Sequence, residues 1–343
     1  MPHSRRVSAA MVAERAGTSV STVSLVVNGK AAGRVSAEKA QQVWDAVDEL
    51  GYVVDHAASS LASGRSDLIV LIAPDLWNPF FGQVISGIRS VLVGRYRLLL
   101  AVPERQGLPS AEDLRRVAAI RPAGLLTYAP ERGLVDVLGQ FSHPVVLMDA
   151  PGVRSSDVGV TGDPVDVVNF DLSPGVDQLV DHLWSAGHRT VAYLDSFTGS
   201  ATFTLRQELF RRSCLRRKIR VLDEVFHVDM EMESSVAAVR QALPRWSEAG
   251  ASAVVVANDT IAYGVLAAAA EAGVRVPEDL AVAGFDDLPT SMVCAPALTS
   301  VSLPGHGLGE AAARRLLERV EGRPSGQVPV LPADLVVRAS SGS

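Results

Sequence analysis

From Asp67 to the carboxyl end, short apolar segments alternate with longer amphipathic segments, and no other feature of the sequence restricts the fold as strongly. The segments predicted as strands are Leu68–Ala73, Tyr96–Val102, Gly124–Thr127, Val145–Asp149, Thr190–Asp195, Val221–Phe226, Ala253–Ala257 and Leu280–Phe285. The helices predicted between them are Phe80–Val93, Pro174–Ala186, Ala201–Arg217, Ser235–Ala249 and Thr260–Ala272. Strands that alternate with helices form parallel sheets whose faces those helices cover. Because one domain does not comfortably hold so many strands, the alternation predicts an α/β core of two stacked lobes.

Ahead of this core, residues 7–29 (VSAAMVAERAGTSVSTVSLVVNG) predict two short helices joined by a tight turn. Ser8 and Ser19 can cap the two helices, because a serine oxygen accepts a hydrogen bond from a free N–H group of the first turn. Gly17 and Gly29 can end them, because glycine adopts the left-handed backbone conformation at little cost. A pair of helices of this size is typical of a DNA-reading helix-turn-helix, and an ordinary helical hairpin is the alternative at this point.

The second of these helices has two distinct faces. Valines form one face and mainly polar side chains form the other, namely Val23, Val26 and Val27 against Ser21, Ser24, Leu25 and Asn28. The valine face can pack on the first helix while the other face lies in a major groove of DNA. A third amphipathic helix is predicted from Ser36 to Leu50, with inward positions at Ala40, Val43, Trp44, Val47 and Leu50.

Nine short motifs follow one another along nearly the whole chain. They are VAERAG–SVSTVS–VVNG, VSAEKAQQVWDAVDELGY, SLASGRSD, PDLWNPFF, HLWSAGHRTVAYL, VVVANDTIAYG, VRVPEDLAVAGFDD, APALTSV and LVVRAS. In this order they resemble the lac/galactose repressor family of bacterial transcription regulators. Any one of these motifs is weak evidence alone, whereas all nine in family order are very specific.

The resemblance implies an all-α helix-turn-helix head over residues 1–55, a hinge over 56–66 and a two-lobed core over 67–343 with the architecture of periplasmic sugar-binding proteins. The chain crosses three times between the lobes of that architecture. The first lobe is expected over about 67–166 and 288–321, and the second over about 167–287 and 322–343. Such a chain is expected to be a transcription repressor that binds an inverted-repeat operator in double-stranded DNA as a homodimer or a larger oligomer.

By position in the family motif, ten residues are expected to touch DNA: Ser8, Ser19, Val20, Ser21, Thr22, Ser24, Leu25, Asn28, Ala57 and Leu61. Val20, Ser21 and Leu25 take the positions that touch base edges, whereas the remaining hydroxyl and amide side chains of the head suit phosphates. The commonest family pattern has arginine where Leu25 stands. Arginine binds guanine with two hydrogen bonds, but leucine can contact only an apolar group such as a thymine methyl, so the operator is expected to differ from the commonest one.

Residues 56–64 resemble the hinge helix of the family, which forms when two subunits meet on DNA. Leu61 takes the position of a leucine that wedges into the minor groove and kinks the duplex. Asp55 and Ser59 depart from the usual asparagine and arginine, which removes two groups that could face phosphate. A flexible linker is the alternative for this segment.

The resemblance also places an effector site between the lobes, at the edge where the strands of open α/β sheets end. The residues expected there are Leu76, Trp77, Asn78, Phe80, Phe81, Asp149, Arg206, Met230, Asn258 and Asp286. Carboxylate, guanidinium and amide groups satisfy both the donors and the acceptors of hydroxyl groups, so the effector is expected to be a small carbohydrate. Purine-binding members stack the base between aromatic rings, one of them at the position of Met230, and a nucleobase or nucleoside is the alternative effector.

Charge and composition exclude other classes of protein. Residues 1–44 carry six basic and two acidic side chains although the whole chain has a net charge of −6, as expected for a DNA-binding head on an acidic sensor.

No apolar run of the sequence approaches the roughly 18 residues of a membrane span. The start MPHSRRVSAA does not resemble a signal peptide, which favours a cytoplasmic protein over the solute-binding protein of a transporter. Dinucleotide, P-loop and nucleophile-elbow motifs are missing, so an enzyme is not expected.

No cofactor or metal ion is expected. Cys214 and Cys294 lack the spacing of metal ligands and are expected to be reduced. His182 and His188 fall in a structural motif of the family and are expected to be packing and turn residues. The basic run from Arg211 to Arg220 is expected to form a solvated face rather than a second nucleic-acid site.

Overall fold

The computed structural model describes residues 7–53, 66–73, 78–102, 110–128, 138, 143–153, 159–160, 163–196, 200–228, 232–324 and 326–342. The chain divides into two compact units, the head (Met1–Ser66) and the core (Asp67–Ser343). Within the described residues, every helix is too short or too polar to span a lipid bilayer.

Three helices form the head: α1 (Ala9–Arg15), α2 (Val20–Val27) and α3 (Ala37–Leu50). The side-chain oxygens of Ser8, Ser19 and Ser36 each accept a hydrogen bond from a main-chain N–H group in the first turn of the helix that follows. Gly51 ends α3 in the left-handed conformation, with φ at 62°. The predicted caps at Ser8 and Ser19 are therefore confirmed.

Small side chains fill the centre of the head: Val12, Ala13, Ala16, Val23, Val26, Val43, Ala46 and Val47. The valine face of α2 is confirmed, since Val23 and Val26 are buried there. The prediction that Trp44 points inward is wrong, because this side chain is 43% exposed. The buried stripe of α3 has the helical spacing of Val43, Ala46 and Val47, and Trp44 lies beside that stripe rather than in it.

The first lobe of the core contains a parallel five-stranded sheet in the order β2-β1-β3-β4-β7. Its strands are β1 (Leu68–Ile72), β2 (Arg97–Ala101), β3 (Gly124–Tyr128), β4 (Val145–Met148) and β7 (Asp166–Val168). Among the described residues, the helices α4 (Pro79–Leu92), α5 (Ala111–Ala119) and α11 (Gly305–Val320) cover this sheet. Alternate residues of β1 face α4 and α11 on one side and α5 on the other, so both faces of the sheet are buried.

The second lobe contains a seven-stranded sheet in the order β10-β9-β12-β13-β14-β16, with β11 also paired to β9. Its strands are β9 (Thr190–Ser196), β10 (Arg220–Val221), β11 (Phe226–Val228), β12 (Ala253–Val256), β13 (Ala281–Asp286), β14 (Thr299–Ser302) and β16 (Asp334–Val336). The helices of this lobe are α6 (Ser173–Ser185), α7 (Ala201–Arg217), α8 (Met232–Glu248), α9 (Asp259–Glu271) and α10 (Pro289–Val293). Its pairs are parallel except that β16 runs antiparallel to β14.

Two short ladders and a 3-10 helix complete the core. The strands β5 (Gly159–Val160) and β6 (Asp163–Pro164) pair antiparallel. The strands β8 (Phe170–Asp171) and β15 (Leu331–Pro332) pair in parallel. The 3-10 helix spans Ala339–Ser341.

Two expectations for the core are corrected. The predicted strand Val221–Phe226 is two strands, β10 and β11, because the exposed pair Asp223 and Glu224 interrupts it. The segment from 288 to 302 was expected in the first lobe, but β14 pairs with β13 in the second sheet. Only α11, further along, crosses back to cover the first sheet.

The helices α4 and α11 approach each other closely at two glycines. A Cβ atom on Gly87 would lie 2.0 Å from the main-chain oxygen of His306, and one on Gly309 would lie 2.1 Å from that of Val84. Main-chain atoms inside two packed helices cannot easily move aside, so only glycine permits this contact. A Cβ atom on Gly307, in the same helix as Gly309, would have its nearest neighbour at an ordinary 3.6 Å.

We expect Gly309→Ala to lower the free energy of unfolding by about 1–3 kcal/mol, because the added methyl group forces α4 and α11 apart. The matched change Gly307→Ala should leave stability unchanged or raise it by up to about 1 kcal/mol, because alanine is the better helix former. Urea unfolding of the two variants at equal protein concentration measures both effects. Equal stability of the two variants would contradict the close contact.

Candidate DNA-reading face and effector site

The exposed face of α2 is the candidate DNA-reading surface. Val20 is 49% exposed, Ser21 and Ser24 are exposed, and Leu25 is half-buried beside them. The helix carries no basic side chain in its last turn and no acidic one in its first. The face therefore offers hydroxyl and apolar groups to a groove, and charge plays a small part in what it can recognise.

Several hydroxyl and amide groups of this surface already have hydrogen-bond partners within the head. The Ser19 hydroxyl lies 2.7 Å from that of Ser21 and 2.9 Å from that of Thr22. The Asn28 amide donates to the main-chain oxygen of Ser24 at 2.8 Å. A hydroxyl group that accepts such a hydrogen bond keeps its own proton free to donate to phosphate. The role of these residues in binding DNA therefore stays a prediction.

Five of the predicted site residues lie outside the described residues. They are Ala57 and Leu61 of the hinge and Leu76, Trp77 and Met230 of the effector site.

The other effector-site candidates follow strands or stand on helices at the carboxyl edges of the two sheets. Asp149 follows β4 in the first lobe, while Asn258 follows β12 and Asp286 ends β13 in the second. Arg206 stands on α7. The carboxyl ends of parallel strands meet at one edge of each sheet, which brings these polar groups together.

A buried ion pair lies at the centre of this group. The Arg206 guanidinium donates from Nη2 to Asp286 Oδ1 at 2.9 Å and from Nη1 to the main-chain oxygen of Ala257 at 2.6 Å. Both side chains of the pair are only 4% exposed. Burial raises the pKa of the Asp286 carboxyl group, while Arg206 and the Asn78 side chain of the first lobe act to lower it. The guanidinium charge and its hydrogen bond therefore offset only part of the loss of water around Asp286.

Two buried polar atoms of this group have no hydrogen-bond partner among the residues that the structure describes, and both can donate to a ligand. They are Nε of Arg206 and the hydroxyl of Tyr128. Such an atom costs about 1–3 kcal/mol, and because Tyr193, Trp246 and Arg315 also carry one, these atoms indicate a binding site only together with the charged groups beside them. Sequence analysis missed Tyr128, although its place at the end of β3 is equivalent to that of Asp149 after β4 and could have indicated it.

Asp149 is the second charged group of the site. Its φ of 48° lies in the left-handed region, which is unusual for a residue other than glycine. The Thr202 hydroxyl of the second lobe donates to its main-chain oxygen at 3.3 Å. Burial raises the pKa of the Asp149 carboxyl group to about 6, although Arg206 and Thr202 act to lower it.

The aromatic residues divide between the site and the packed interior. Phe80 is 5% exposed and packs edge-on against Phe81 and Phe170, and its part in binding an effector stays a prediction. Phe81 is half-buried and packs edge-on against Tyr128, with ring centres 4.9 Å apart. Two rings that sequence analysis missed flank Arg206: Phe203 and Phe285 each lie 5.1 Å from its guanidinium carbon.

Asn258 is a helix cap, and its neighbour Asp259 is a further buried carboxyl group that sequence analysis missed. The Asn258 side chain accepts a hydrogen bond from the Ile261 N–H at the start of α9. Asp259 accepts from the Leu288 N–H and from the hydroxyls of Ser291 and Ser300. Asp259 thereby attaches α9 to the segment that follows β13.

Other residues singled out in the sequence have structural partners. His182 lies 2.8 Å from the Ser341 hydroxyl, and His188 lies 2.8 Å from that of Ser252. In the basic run, Arg216 and Arg217 form exposed ion pairs with Asp177 and Asp181. Cys214 and Cys294 are free. The described residues contain no cluster of side chains suited to hold a metal ion.

Two family models match this chain, one within the head and one within the core. A family model described as bacterial regulatory proteins, lacI family, matches residues 7–55. A model of a periplasmic binding protein-like domain matches residues 180–341.

Curated relatives span the whole chain. The HTH-type transcriptional regulator GntR of Pseudomonas aeruginosa is 33% identical over 315 residues, which cover 91% of this chain and 89% of the relative. The regulator CelR of Thermobifida fusca is 30% identical and covers 99% of this chain and 100% of its own. The repressor PurR of Photobacterium profundum is 30% identical, covering 96% and 97%. These relatives are transcription regulators and not enzymes.

Two solved structures share the fold over almost the full length. A lac repressor dimer bound to operator and the anti-inducer ONPF is 27% identical, with a TM-score of 0.81, and the match covers 99% of this chain and 100% of that one. A complex of the regulator CelR with cellobiose is 28% identical, with a TM-score of 0.69, and covers 98% and 100%.

The raised pKa of Asp149 predicts a pH-dependent effect of Asp149→Asn. The unfolded chain ionises this group near pH 3.8 and the folded chain near 6, so wild-type stability falls between these values and stays lower above them. Asparagine tolerates the positive φ and carries no charge. We expect the variant to equal the wild type near pH 4 and to be more stable at pH 7.5, by up to about 3 kcal/mol.

Urea unfolding of the wild type and of Asp149→Asn at the two pH values measures this difference, with the exposed Asp223→Asn as control. An equal effect of Asp149→Asn at both values would contradict the assignment.

The leucine on the exposed face of α2 predicts a change of DNA sequence preference in Leu25→Arg. An arginine there can bind guanine with two hydrogen bonds, worth about 1–3 kcal/mol of discrimination. Selection of bound sequences from a random pool should therefore add a guanine at one symmetric position in each half-site. The control Gln41→Arg adds the same charge at an exposed position of α3 and should leave the selected sequence unchanged. If Leu25→Arg also leaves it unchanged, Leu25 does not face the bases.

Proposed function

The chain belongs to the lacI family of bacterial regulatory proteins, and from this premise we propose that it is a homodimeric repressor whose affinity for an operator is controlled by a small carbohydrate. The observation that carries the proposal is the buried Arg206–Asp286 pair, whose Arg206 Nε has no partner within the part of the chain that the structure describes. A stable ion pair can orient a ligand because both of its groups are already held by the protein.

The chemistry of the site favours a carbohydrate over a flat aromatic base. The carboxyl groups of Asp149 and Asp286 accept hydrogen bonds, while the Arg206 Nε and the Tyr128 hydroxyl can donate them. A sugar needs this mixture because each hydroxyl group both donates and accepts. A relative of the same fold is described as a complex with cellobiose, and this supports the proposal. Relatives named PurR keep a purine as the second candidate.

We propose that the effector acts on the contacts that join the two lobes beside the site. The Thr202 hydroxyl of the second lobe donates to the main-chain oxygen of Asp149 in the first, and the Asn78 side chain of the first lobe acts to lower the pKa of Asp286 in the second, which burial raises. A ligand hydroxyl that competes for these partners changes the balance between arrangements of the lobes. A difference of about 1–3 kcal/mol between two such arrangements is typical of an effector-controlled regulator.

Exposed apolar residues on the core support the proposed homodimer. Leu99 and Leu100 of the edge strand β2 are 39% and 38% exposed, so both faces of that strand are partly uncovered. On α10, Met292 and Val293 are 65% and 74% exposed. Sheet edges and apolar patches of this kind are normally covered by a partner. Two heads in one dimer would read an inverted repeat, and the hinge residue Leu61 would enter the minor groove at its centre.

The proposal predicts that changing Arg206 abolishes the response to sugars. In wild type, we expect one of glucose, galactose, ribose or cellobiose to raise the unfolding temperature and to change the affinity for the selected operator. Arg206→Met should remove both effects but keep binding to the operator without ligand. Because Arg206→Met leaves Asp286 buried and unpaired, Arg206→Lys serves as the second variant, with an affinity for the sugar at least about tenfold lower.

The matched control is Arg216→Met, on the same helix. Arg216 forms an exposed ion pair with Asp177, which contributes about 1 kcal/mol or less. This control should keep the full response to the sugar. Isothermal titration calorimetry compares the sugars with hypoxanthine and guanine. Binding of a purine without a response to any sugar would overturn the carbohydrate assignment, and normal binding in both Arg206 variants would overturn the site.

A further inference from the structure

We propose that Arg338, in the terminal motif LVVRAS, is a positioning residue of the effector site that acts through Asp287 on Asp286. The inference rests on the proposed function, because it assigns a role to a residue that supports the same site. Arg338 follows β16 and is half-buried, as is Asp287.

The end of β13 has an unusual backbone. Asp286 and Asp287 follow each other with φ values of 103° and 51°, and neither is a glycine. Residues with a Cβ atom rarely adopt such angles, so two in succession persist only where the surroundings hold them. The direction in which the Asp286 carboxylate points depends on this backbone.

Each of the two aspartates is held by a different arginine. Arg206 holds the Asp286 carboxylate from within the site. Arg338 donates from Nη2 to Asp287 Oδ1 at 2.6 Å. Asp287 is not among the residues expected to touch the effector. The Asp287 N–H also donates to the Ser300 hydroxyl at 3.0 Å. The strained backbone at Asp287 is therefore held by Arg338 and by Ser300 of the neighbouring strand β14.

Arg338 can hold Asp287 because it is itself fixed at several points. Its Nη1 donates to the main-chain oxygen of Leu298 at 2.7 Å. Its main-chain N–H donates to the Thr299 hydroxyl at 2.8 Å, and the Thr299 hydroxyl donates to the main-chain oxygen of Arg338 at 3.0 Å. A guanidinium bound at two of its ends is a rigid support, whereas lysine offers one charged end on a flexible chain.

The segment around Ser300 extends this support to the rest of the site. The Ser300 hydroxyl donates to Asp259, which also accepts from the Leu288 N–H. Loss of Arg338 leaves the Asp287 carboxyl group without its charged partner and frees the backbone to leave the left-handed region. The Asp286 carboxylate would then lose its fixed direction although Arg206 is unchanged.

The test compares Arg338→Met, Arg338→Lys and the control Arg323→Met in the full-length protein. Arg323 lies earlier in the same carboxyl-terminal part of the chain and forms a more exposed pair with Glu321. Hydrogen–deuterium exchange with mass spectrometry should show the amides of Asp287 and Leu288 exchanging about tenfold faster in Arg338→Met, with peptides of α4 and α5 unchanged. Calorimetry with whichever of glucose, galactose, ribose and cellobiose binds the wild type should show a dissociation constant about tenfold higher in Arg338→Met. Arg338→Lys should give intermediate values for both, and Arg323→Met wild-type values.

The two measurements separate this inference from the proposed function. If none of the four sugars binds the wild type, the carbohydrate proposal fails, and the exchange of Asp287 and Leu288 still decides whether Arg338 holds this backbone. Exchange that rises throughout the core, or that does not change, would overturn the inference. A lower unfolding midpoint in urea with unchanged exchange and unchanged sugar affinity would show a merely structural role and would also overturn it.

Discussion

The central strands of both parallel sheets are buried on both faces, and this requirement for cover organises the core. In β1, Ile69 and Leu71 face α4 and α11, while Val70 and Ile72 belong to the cluster around α5. The helix α11 can supply this cover only if the chain returns from the second sheet after β14. The lobes are therefore joined by several crossings, and the polar groups at the strand ends of both sheets reach one another. The site is a consequence of how the sheets are covered.

The proposed effector site concentrates features that lower stability. Asp149, Asp286 and Asp287 have positive φ values, each of which costs on the order of 1–3 kcal/mol in a residue other than glycine. Within the described residues, the Arg206 Nε and the Tyr128 hydroxyl are buried without partners, as are three further atoms elsewhere in the core. A core selected for stability alone would lose strained backbone, because most positions tolerate better-packed alternatives. The three positive φ values around the buried Arg206–Asp286 pair are the physical reason to propose this edge of the sheets as a binding site.

Local rules in the sequence predicted most of the elements, whereas the partners of individual side chains depended on contacts distant in sequence. Serine caps and glycine ends act within one helical turn, so the helices of the head were predicted closely, and the helix Ala201–Arg217 has the predicted bounds. The lobe boundary at 288 was wrong because only strand pairing reveals that β14 stays in the second sheet. Trp44 was expected inside the head, yet the buried stripe of α3 passes beside it. The hydrogen bond from Arg338 to Asp287 joins residues 51 positions apart, and no local pattern indicates it.

The composition of the head explains why a modest effect in the core can control a regulator of this family. The recognition face of α2 offers hydroxyl and apolar groups, and residues 1–44 carry six basic against two acidic side chains with none of the basic ones in α2, so charge alone gives a single head only a modest affinity for phosphates. Tight binding must then come from two heads that bind one operator together. Once the first head is bound, it holds the second head at a high effective concentration near its half-site, which favours binding of the second head. An effector does not need to alter any base contact to weaken such a complex. It needs only to change how favourably the two heads engage at the same time, and the 1–3 kcal/mol that is typical of coupling between two sites corresponds to a change of about 5–150-fold in operator affinity.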